Sequence, residues 1–155
     1  MEWQSERRRM YDRDVDVPRL VARYRLDDAS LPAAIAGAAS RATALTGAPF
    51  NSAGLNLYRD GRDSVAPHND RLYEIVVGYP IALISLGATR LMTVRSKAPF
   101  VDAQGKLRRR VFDLDLEDGS LLLMSYETQR RYDHGIPKTS AAVGARISLA
   151  LRVRP

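Results

Sequence analysis

From Ala53 onward, apolar and polar residues alternate in short runs separated by turn sequences such as "RDGRD" and "EDG". The runs are, in chain order, "LNLY", "IALISLG", "TRLMTVRS", "RRRVFDLDL", "SLLLMS" and "ARISLALRVR". A period of two is typical of a β-strand that buries one face. Seven or so short strands joined by turns predict an antiparallel sandwich or barrel.

One segment ahead of these strands, "DASLPAAIAGAASRATALTG", has helical spacing instead. Its apolar positions at that spacing are Leu31, Ile35, Ala38, Ala42 and Leu45. Ser30 can cap the helix, Pro32 suits the first turn and Gly47 suits the exit. The sequence therefore predicts one supporting helix, rich in small residues and packed closely against the sheet.

The N-terminal part of the chain has no sustained period. Residues 1–27 are charged and predicted to be irregular, with a possible short extended piece at "RLVARYRL". No repeat, low-complexity tract or linker divides the chain. We expect a single domain over residues 1–155, with a short N-terminal extension and the helix in residues 1–50 and the β core in residues 51–155.

Composition narrows the kinds of site that the chain can carry. Hydrophobic residues at 45% and charged residues at 27% are ordinary for a globular protein. There is no cysteine, so disulfides and thiolate metal sites are excluded, and a metal would need nitrogen and oxygen ligands. The net charge of +6 fits a nucleic-acid partner without requiring one. The runs Arg7–Arg9 and Arg108–Arg110 are expected to be solvated chain.

No segment predicts a membrane or secretory signal. The first 14 residues lack an apolar stretch of the kind that signal peptides carry. The longest apolar run, Ile75–Ala88, is interrupted by Gly78, Tyr79, Pro80 and Ser85. It falls short of the roughly 20 residues that a membrane-spanning helix needs. We expect a cytoplasmic protein, a monomer, with no membrane partner.

The stretch "PHNDRLYE" holds one of the two histidines of the chain, His68, two positions before Asp70. In an extended segment both side chains leave on the same side, about 6.6 Å apart along the chain, so both could bind one ion. His134 is the other histidine. Two histidines and a carboxylate form the ligand set of non-haem Fe(II) oxygenases. The spacing alone is a weak signal and fits better a polar turn with a surface histidine.

The last predicted strand adds a second candidate site. Its apolar face would carry Ile147, Leu149, Leu151 and Val153. Its other face would carry Arg146, Ser148, Ala150, Arg152 and Arg154. That second face is either solvated or turned into a barrel, where buried arginine needs an acidic ligand such as a dicarboxylate. Asn56 and Tyr58 share one face of their own strand and could donate to the same ligand.

Most of the sequence resembles the AlkB-type 2-oxoglutarate- and Fe(II)-dependent dioxygenases. Asn56 and Tyr58 stand twelve and ten residues before His68, and Arg146 and Arg152 stand twelve and eighteen residues after His134. The segments that carry the resemblance are "MYDRDVDVPRL", "NLYRDGRDSVAPHND", "PIALISLGATRLMTVRSK", "LEDGSLLLMSYETQRRYDHGIPKT" and "ARISLALRVR". The implied fold is mainly β, a double-stranded β-helix or jelly roll.

The resemblance also implies roles for individual residues. The implied iron ligands are His68, Asp70 and His134. The implied partners of the distal carboxylate of 2-oxoglutarate are Arg146, Tyr58 and Ser148. The implied partners of its metal-proximal end are Asn56 and Arg152.

The implied reaction consumes 2-oxoglutarate and O2, releases succinate and CO2, and hydroxylates a C–H bond. On an N-methyl group of a nucleobase the product falls apart to formaldehyde and the bare nitrogen, so the implied partner is alkylated DNA or RNA. Two alternatives stay open. The same oxygenase core could act on a protein or small-molecule substrate, or the chain could be a jelly-roll binding module without catalysis.

Three departures from the family pattern concern the substrate side. Leu72 stands where close relatives carry an acid that contacts the damaged base, and Glu74 lies two positions further on. "PRLVARYRLDDASLP" leads almost directly into the helix, so most of the aromatic-rich lid of relatives is expected to be missing. Ala150 replaces a usual threonine. Four aromatic candidates for a remodelled pocket receive no assigned role: Tyr73, Tyr79, Tyr126 and Tyr132.

Overall fold

The computed structural model describes residues 1–10 and 12–155, without the side chains at positions 8 and 10. The side chain of Arg8 in the first arginine run, and Tyr11 in the first resemblance segment, thus lie outside the described residues. In chain order the elements are β1 (Gln4–Met10), β2 (Arg13–Arg25), α1 (Ala33–Thr46), β3 (Ser52–Tyr58), β4 (Val65–His68), a 3-10 turn (Leu72–Glu74), β5 (Ile81–Gly87), β6 (Arg90–Ser96), β7 (Phe100–Val101), β8 (Leu107–Arg108), β9 (Val111–Leu116), β10 (Leu121–Met124), α2 (Tyr126–Arg131), β11 (Tyr132–Ile136) and β12 (Arg146–Arg152).

Two antiparallel sheets form the body of the molecule. The larger has the strand order β1-β2-β3-β12-β5-β10, the smaller has the order β4-β11-β6-β9, and β7 pairs with β8 in a separate ribbon. One hydrophobic cluster joins residues of both sheets, among them Tyr58, Leu83, Met92 and Ile136. Strands adjacent in space are far apart in sequence, as in β3-β12-β5. The predicted class, a mainly β jelly roll with one supporting helix, is confirmed.

A second cluster lies on the other side of the larger sheet, under α1. It contains Ala53, Leu149 and Leu151, together with Ile35 and Ala42 of the helix. The two faces predicted for the last strand are confirmed, because its leucines pack in this cluster while Ala150 belongs to the cluster between the sheets. The polar face of β12 therefore points into the molecule rather than to solvent.

The helix α1 differs from the prediction in detail. Pro32 is the N-cap residue, and no side chain caps the helix. Ser30 donates to Asp28 instead, so the expected serine cap is wrong. Gly47 ends the helix in the left-handed conformation, with φ 71°, as predicted. Leu45 is 77% exposed, because the buried face of the helix runs through Ile35, Ala39 and Ala42.

The prediction that residues 1–27 are irregular is wrong, because β1 and β2 form an antiparallel hairpin that extends the larger sheet through β3. The extended piece expected at "RLVARYRL" is confirmed, since all of it except Leu26 lies in β2. Arg7 Nε donates to Asp16 Oδ1 across the hairpin at 2.9 Å. Much of the hairpin is exposed on both faces, so its sequence shows little of the apolar alternation by which strands are predicted. Only residues 26–32 separate β2 from α1.

The two arginine runs were expected to be solvated, and their described side chains are at the surface. Arg7, Arg9 and Arg108–Arg110 are exposed. Within the described ranges, neither helix is both long and apolar enough to cross a bilayer.

Candidate metal centre and anion-binding cavity

The two histidines and Asp70 come together at the end of β4 and in the middle of β11. His68 and His134 are direct partners in the antiparallel pairing of these strands, and their ring centroids are 4.6 Å apart. One ligand atom from each of the three residues lies within 4.8 Å of the others. The geometry of these three side chains thus allows them to bind a single metal ion.

Hydrogen bonds around "HND" show that this segment is not a loose polar turn. His68 Nδ1 lies 2.8 Å from the carbonyl oxygen of Ala66, which can only accept, so Nδ1–H donates and Nε2 is the ring atom left to bind a metal. The backbone N–H of Asp70 donates to Gln129 Oε1 at 3.0 Å. The local fold therefore presents metal-binding atoms on both residues.

A lysine holds the residue between the two ligands. Lys97 Nζ donates to Asn69 Oδ1 and to the carbonyl oxygen of Gln129, each at 2.9 Å. Gln129 is buried in α2, and its side chain is the one that accepts from Asp70. Lys97 thus ties the ligand segment and α2 to the end of β6.

Arg152 fixes the carboxylate of Asp70. Its Nε and Nη2 donate to Asp70 Oδ2 at 2.7 and 2.5 Å, while Asp70 Oδ1 faces His134 Nε2 at 3.9 Å. Burial works to raise the pKa of Asp70, but the charge and the hydrogen bond of Arg152 act against burial, and the pKa lies below its usual value. Gly54 leaves room for this guanidinium, since a Cβ there would lie 3.2 Å from Arg152 Nη1.

His134 is held in the neutral state that metal binding needs. Burial, followed by the neighbouring His68, lowers the pKa of His134 from 6.5 to about 4. A neutral imidazole keeps the lone pair with which it binds a metal. Gly135 allows β11 to approach β4 closely here, since a Cβ there would lie 2.9 Å from the carbonyl oxygen of Val65.

Arg146 carries a buried charge that the described residues do not neutralise. It is 1% exposed, and Nη2 donates to Ser85 Oγ at 2.8 Å. Its Nε is buried without a hydrogen-bond partner, and no described carboxylate forms an ion pair with it. Burial, against a smaller opposing effect of Tyr58, holds the pKa of Arg146 below its usual value. Such a group is the expected partner of an anionic ligand.

The remaining predicted residues lie on the same sheet face as Arg146. Tyr58 is the register partner of Arg146, and Asn56 is the register partner of Ser148. The Arg146 guanidinium carbon lies 5.4 Å from the centroid of the Tyr58 ring. All eight predicted site residues line one cavity of about 1110 Å³: Asn56, Tyr58, His68, Asp70, His134, Arg146, Ser148 and Arg152.

The residues present fit a metal at one end of this cavity and a carboxylate at the other. Two imidazoles and a carboxylate suit a non-haem iron with open positions. The unpartnered Nε of Arg146 suits a carboxylate oxygen.

Three further polar residues of the cavity region were not predicted from the sequence. Glu6 and Arg19 from the β1–β2 hairpin line the cavity, and Gln129 lies beneath the ligand segment. "VPRL" falls within the resemblance, which is the one signal that could have pointed to Arg19. Nothing in the sequence pattern indicates that Glu6 is partly buried or that Gln129 is buried.

The substrate-side departures are also visible. Leu72 is half-buried in the 3-10 turn and is absent from the cavity lining, whereas Glu74 lines the cavity and pairs with Arg71 and Arg154. Tyr73 is 75% exposed. Glu74 is therefore already bound to two arginines at the cavity rim.

Comparison with known proteins gives three findings. The family model of the 2OG-Fe(II) oxygenase superfamily matches residues 5–152. DNA oxidative demethylase ALKBH2 of Bos taurus is 36% identical over 115 residues, covering 72% of this chain and 40% of that protein. Alpha-ketoglutarate-dependent dioxygenase alkB homolog 3 of Bos taurus is 36% identical over 107 residues, covering 69% and 37%. This chain thus spans about two fifths of the length of these relatives.

A solved structure has a similar fold. The solved structure of OsALKBH1 superposes with a TM-score of 0.55 at 14% identity, covering 95% of this chain and 84% of that one.

Proposed function

Because the chain belongs to the 2OG-Fe(II) oxygenase superfamily and resembles its AlkB-type members, we propose that it is an Fe(II)- and 2-oxoglutarate-dependent dioxygenase that dealkylates nucleobases of DNA or RNA. His68, Asp70 and His134 would hold the iron. When bound, iron with 2-oxoglutarate and O2 supplies the oxidising power for hydroxylating a C–H bond, with release of succinate and CO2. An N-methyl group hydroxylated in this way leaves as formaldehyde.

The observation that carries this proposal is the buried, unneutralised guanidinium of Arg146 in the same cavity as the two histidines and Asp70. A dicarboxylate that binds a metal at one end needs a cation at its other end. Arg146 would pair with the distal carboxylate of 2-oxoglutarate, with Tyr58 and Ser148 beside it. A buried charge that gains a bidentate counter-ion is strongly favoured over one left unpaired.

Arg152 and Asn56 would act at the metal-proximal end. The ion pair of Arg152 with Asp70 Oδ2 fixes the orientation of the carboxylate and leaves Oδ1 on the side of the histidines. The Ala66 carbonyl orients the ring of His68 through Nδ1, and burial favours the neutral form of His134. The protein thus contributes position and charge complementarity to the chemistry of the cofactor.

A nucleic-acid substrate is supported by the relatives and by the net charge of +6. A different substrate for the same core, a protein side chain or a small molecule, is favoured by one observation. Apart from the histidines, the aromatic residues that line the described cavity are Tyr24 and Tyr58, and Tyr58 lies beside Arg146. An enzyme that extrudes a base usually stacks it between aromatic or apolar side chains.

Two measurements test the proposal in sequence. Anaerobic addition of Fe(II) and 2-oxoglutarate should produce the visible charge-transfer band of the iron chelate, and His134→Ala should abolish it. Succinate and formaldehyde should then form on methylated single-stranded or double-stranded DNA or RNA. A band without stimulation by any alkylated nucleic acid would leave the oxygenase core and favour a protein or small-molecule substrate. No band and no metal affinity would leave a binding module.

A further inference from the structure

Two charged side chains of the β1–β2 hairpin, Glu6 and Arg19, line the cavity because the pairing of the two strands is irregular at this point. Ser5 pairs with Leu20 but Glu6 pairs with Val17, so the register skips Pro18 and Arg19 in β2. Bulges of this kind bend a strand and re-aim its side chains, and they are frequent beside active sites. Proline is tolerated at such positions because it has no N–H to donate. The irregularity therefore explains why charged residues of an exposed hairpin face inward.

Arg19 makes hydrogen bonds through all three of its nitrogens. Nε and Nη2 donate to Glu6 Oε2 at 3.3 and 2.9 Å, and Nη1 donates to Tyr58 Oη at 3.2 Å. Arg19 is 7% exposed and the side chain of Glu6 is 13% exposed. This is a nearly buried ion pair in direct contact with a residue of the proposed 2-oxoglutarate site.

The contact with Arg19 constrains the proton of Tyr58. A phenolic hydroxyl has one proton to donate and lone pairs with which to accept. Arg19 donates to one lone pair of the oxygen, and the other two cations near the ring, Arg90 and Arg146, have no acceptor atom. Within the described residues the Tyr58 hydroxyl donates to no protein acceptor. Its proton is thus available to a carboxylate that binds beside Arg146.

Glu6 determines how many cations of the cavity lack a counter-ion. Arg152 is paired with Asp70, and Arg19 is paired with Glu6. Arg146 is left as the buried arginine of this cavity that pairs with no described carboxylate. Without Glu6, a second unneutralised guanidinium would lie within hydrogen-bond distance of the Tyr58 hydroxyl.

We propose that the Glu6–Arg19 pair selects the co-substrate. Arg19 orients the Tyr58 hydroxyl toward the carboxylate that Arg146 binds. Glu6 neutralises Arg19, so that the cavity accepts one distal carboxylate and discriminates against acids that carry an additional one. Glu6 and Arg19 are positioning residues, since neither is required to touch the co-substrate. The inference rests on the proposed function only in taking the ligand to be a dicarboxylate.

The discriminating experiment measures anion binding to metal-free protein by calorimetry. The probes are glutarate, a five-carbon dicarboxylate, and propane-1,2,3-tricarboxylate, which carries a third carboxylate. Wild-type protein should prefer glutarate. Glu6→Gln keeps the size of the side chain but removes its charge, so the preference should move toward the tricarboxylate by about tenfold. An unchanged ratio in a folded Glu6→Gln protein would overturn the proposal.

Arg23 supplies the matched control. It is 65% exposed and reaches Glu6 Oε1 at 3.7 Å, so Arg23→Gln also removes a charge beside Glu6 without touching Tyr58. The ratio of the two affinities should then stay as in wild type. A shift as large as that of Glu6→Gln would indicate a general charge effect and would also contradict the selective role.

A second measurement stands even if Glu6→Gln fails to fold. Removing both charges of the pair with Glu6→Met/Arg19→Met leaves no lone carboxylate in the cavity. This variant and Tyr58→Phe should each weaken glutarate binding several-fold. All three substitutions together should weaken it no further than the weaker of the two, because Arg19 acts through the hydroxyl that Tyr58→Phe removes. Losses that multiply in the combined variant would show that the pair and Tyr58 act independently and would contradict the positioning role.

These outcomes separate the inference from the proposed function, since neither probe requires iron or O2. A shifted ratio without succinate formation would remove the oxygenase proposal and keep the selection of anions by Glu6 and Arg19. Succinate formation with an unchanged ratio would remove only the inference. If wild-type protein binds neither glutarate nor 2-oxoglutarate at millimolar concentration, both are wrong.

Discussion

Arg90 and Arg146 are both buried arginines beside the ring of Tyr58, yet their surroundings differ. They are 3% and 1% exposed, and their guanidinium carbons lie 5.7 and 5.4 Å from the ring centroid. Arg90 donates three hydrogen bonds to main-chain carbonyl oxygens, those of Asp60, Asp63 and Pro137. Arg146 donates one, to Ser85, and its Nε has no partner among the described residues.

Arg90 has the surroundings of a structural arginine, whereas Arg146 has those of an arginine that binds a ligand. Burial and residue type are the same in both, so neither distinguishes them. The difference is in hydrogen bonding, because Arg90 is satisfied by loops that it holds in place, whereas Arg146 keeps donor capacity that the described chain does not use. An under-satisfied buried cation lowers the stability of the ligand-free protein and strengthens the binding of an anion.

Arg90→Met should have the largest effect, and the effect should be on folding. It leaves three main-chain carbonyl oxygens, in one buried and two part-buried hydrogen bonds, without their donor, which we expect to lower the free energy of unfolding by about 3–5 kcal/mol. Urea denaturation measures this loss. In the folded fraction the affinity for 2-oxoglutarate should stay within about twofold, since Arg90 is not aimed at the ligand. A large loss of 2-oxoglutarate affinity in Arg90→Met would show that Arg90 also contributes to ligand binding and would contradict the difference drawn between the two arginines.

Arg146→Met should show the reverse pattern. Loss of the cation should weaken 2-oxoglutarate binding by about 2–3 kcal/mol, or roughly 30- to 150-fold, as measured by calorimetry on the metal-loaded protein. The free energy of unfolding without ligand should be unchanged or higher, because the substitution removes an uncompensated buried charge. Destabilisation as large as that of Arg90→Met would mean that Arg146 is structural as well.

Ligand-linked stability sharpens the same contrast. At 2-oxoglutarate concentrations near 100 times its dissociation constant, wild-type protein should gain about 2.7 kcal/mol of unfolding free energy. Arg90→Met should show the same gain from a lower starting stability, and Arg146→Met should gain only about 0.3–0.9 kcal/mol at that concentration. Thermal unfolding with and without 2-oxoglutarate gives these differences. Equal gains in all three proteins would place the binding of 2-oxoglutarate away from Arg146.

The strand that carries Arg146 was predictable because its two faces differ in character. Ile147, Leu149 and Leu151 alternate with polar or small residues, and a period of two decides which residues share a face. The choice between a solvated face and a cavity face needed the family resemblance, since alternation is the same in both cases. Membership of the family and the fold class are confirmed, while the roles of the eight site residues stay a prediction.

The hairpin of β1 and β2 was not predictable in the same way. Its strands are held mainly by pairing and by cross-strand contacts such as Arg7 with Asp16, so charged residues occupy both faces. The inward turn of Glu6 and Arg19 arises from a skip in register, which no local pattern specifies. The role of Gln129 could not be predicted for a similar reason, because its partner, the Asp70 amide, is 59 residues away in sequence.

Arg152 combines features of both buried arginines, because it is paired like Arg90 but lines the cavity like Arg146. Substitution of Gly54, which lies against it, should have the smallest effect of the changes considered. Arg152 pairs with Asp70 inside the cavity, and a Cβ at position 54 would lie 3.2 Å from its Nη1. Because that atom ends a flexible side chain, Gly54→Ala should displace it by only a few tenths of an ångström. We expect metal affinity to fall about two- to threefold, with stability changed by less than about 1 kcal/mol. Gly37→Ala, on the open face of α1, is the control and should leave metal affinity unchanged. A loss of metal affinity beyond tenfold in Gly54→Ala would contradict this expectation. It would show that metal binding requires Arg152 in its present position to within a few tenths of an ångström.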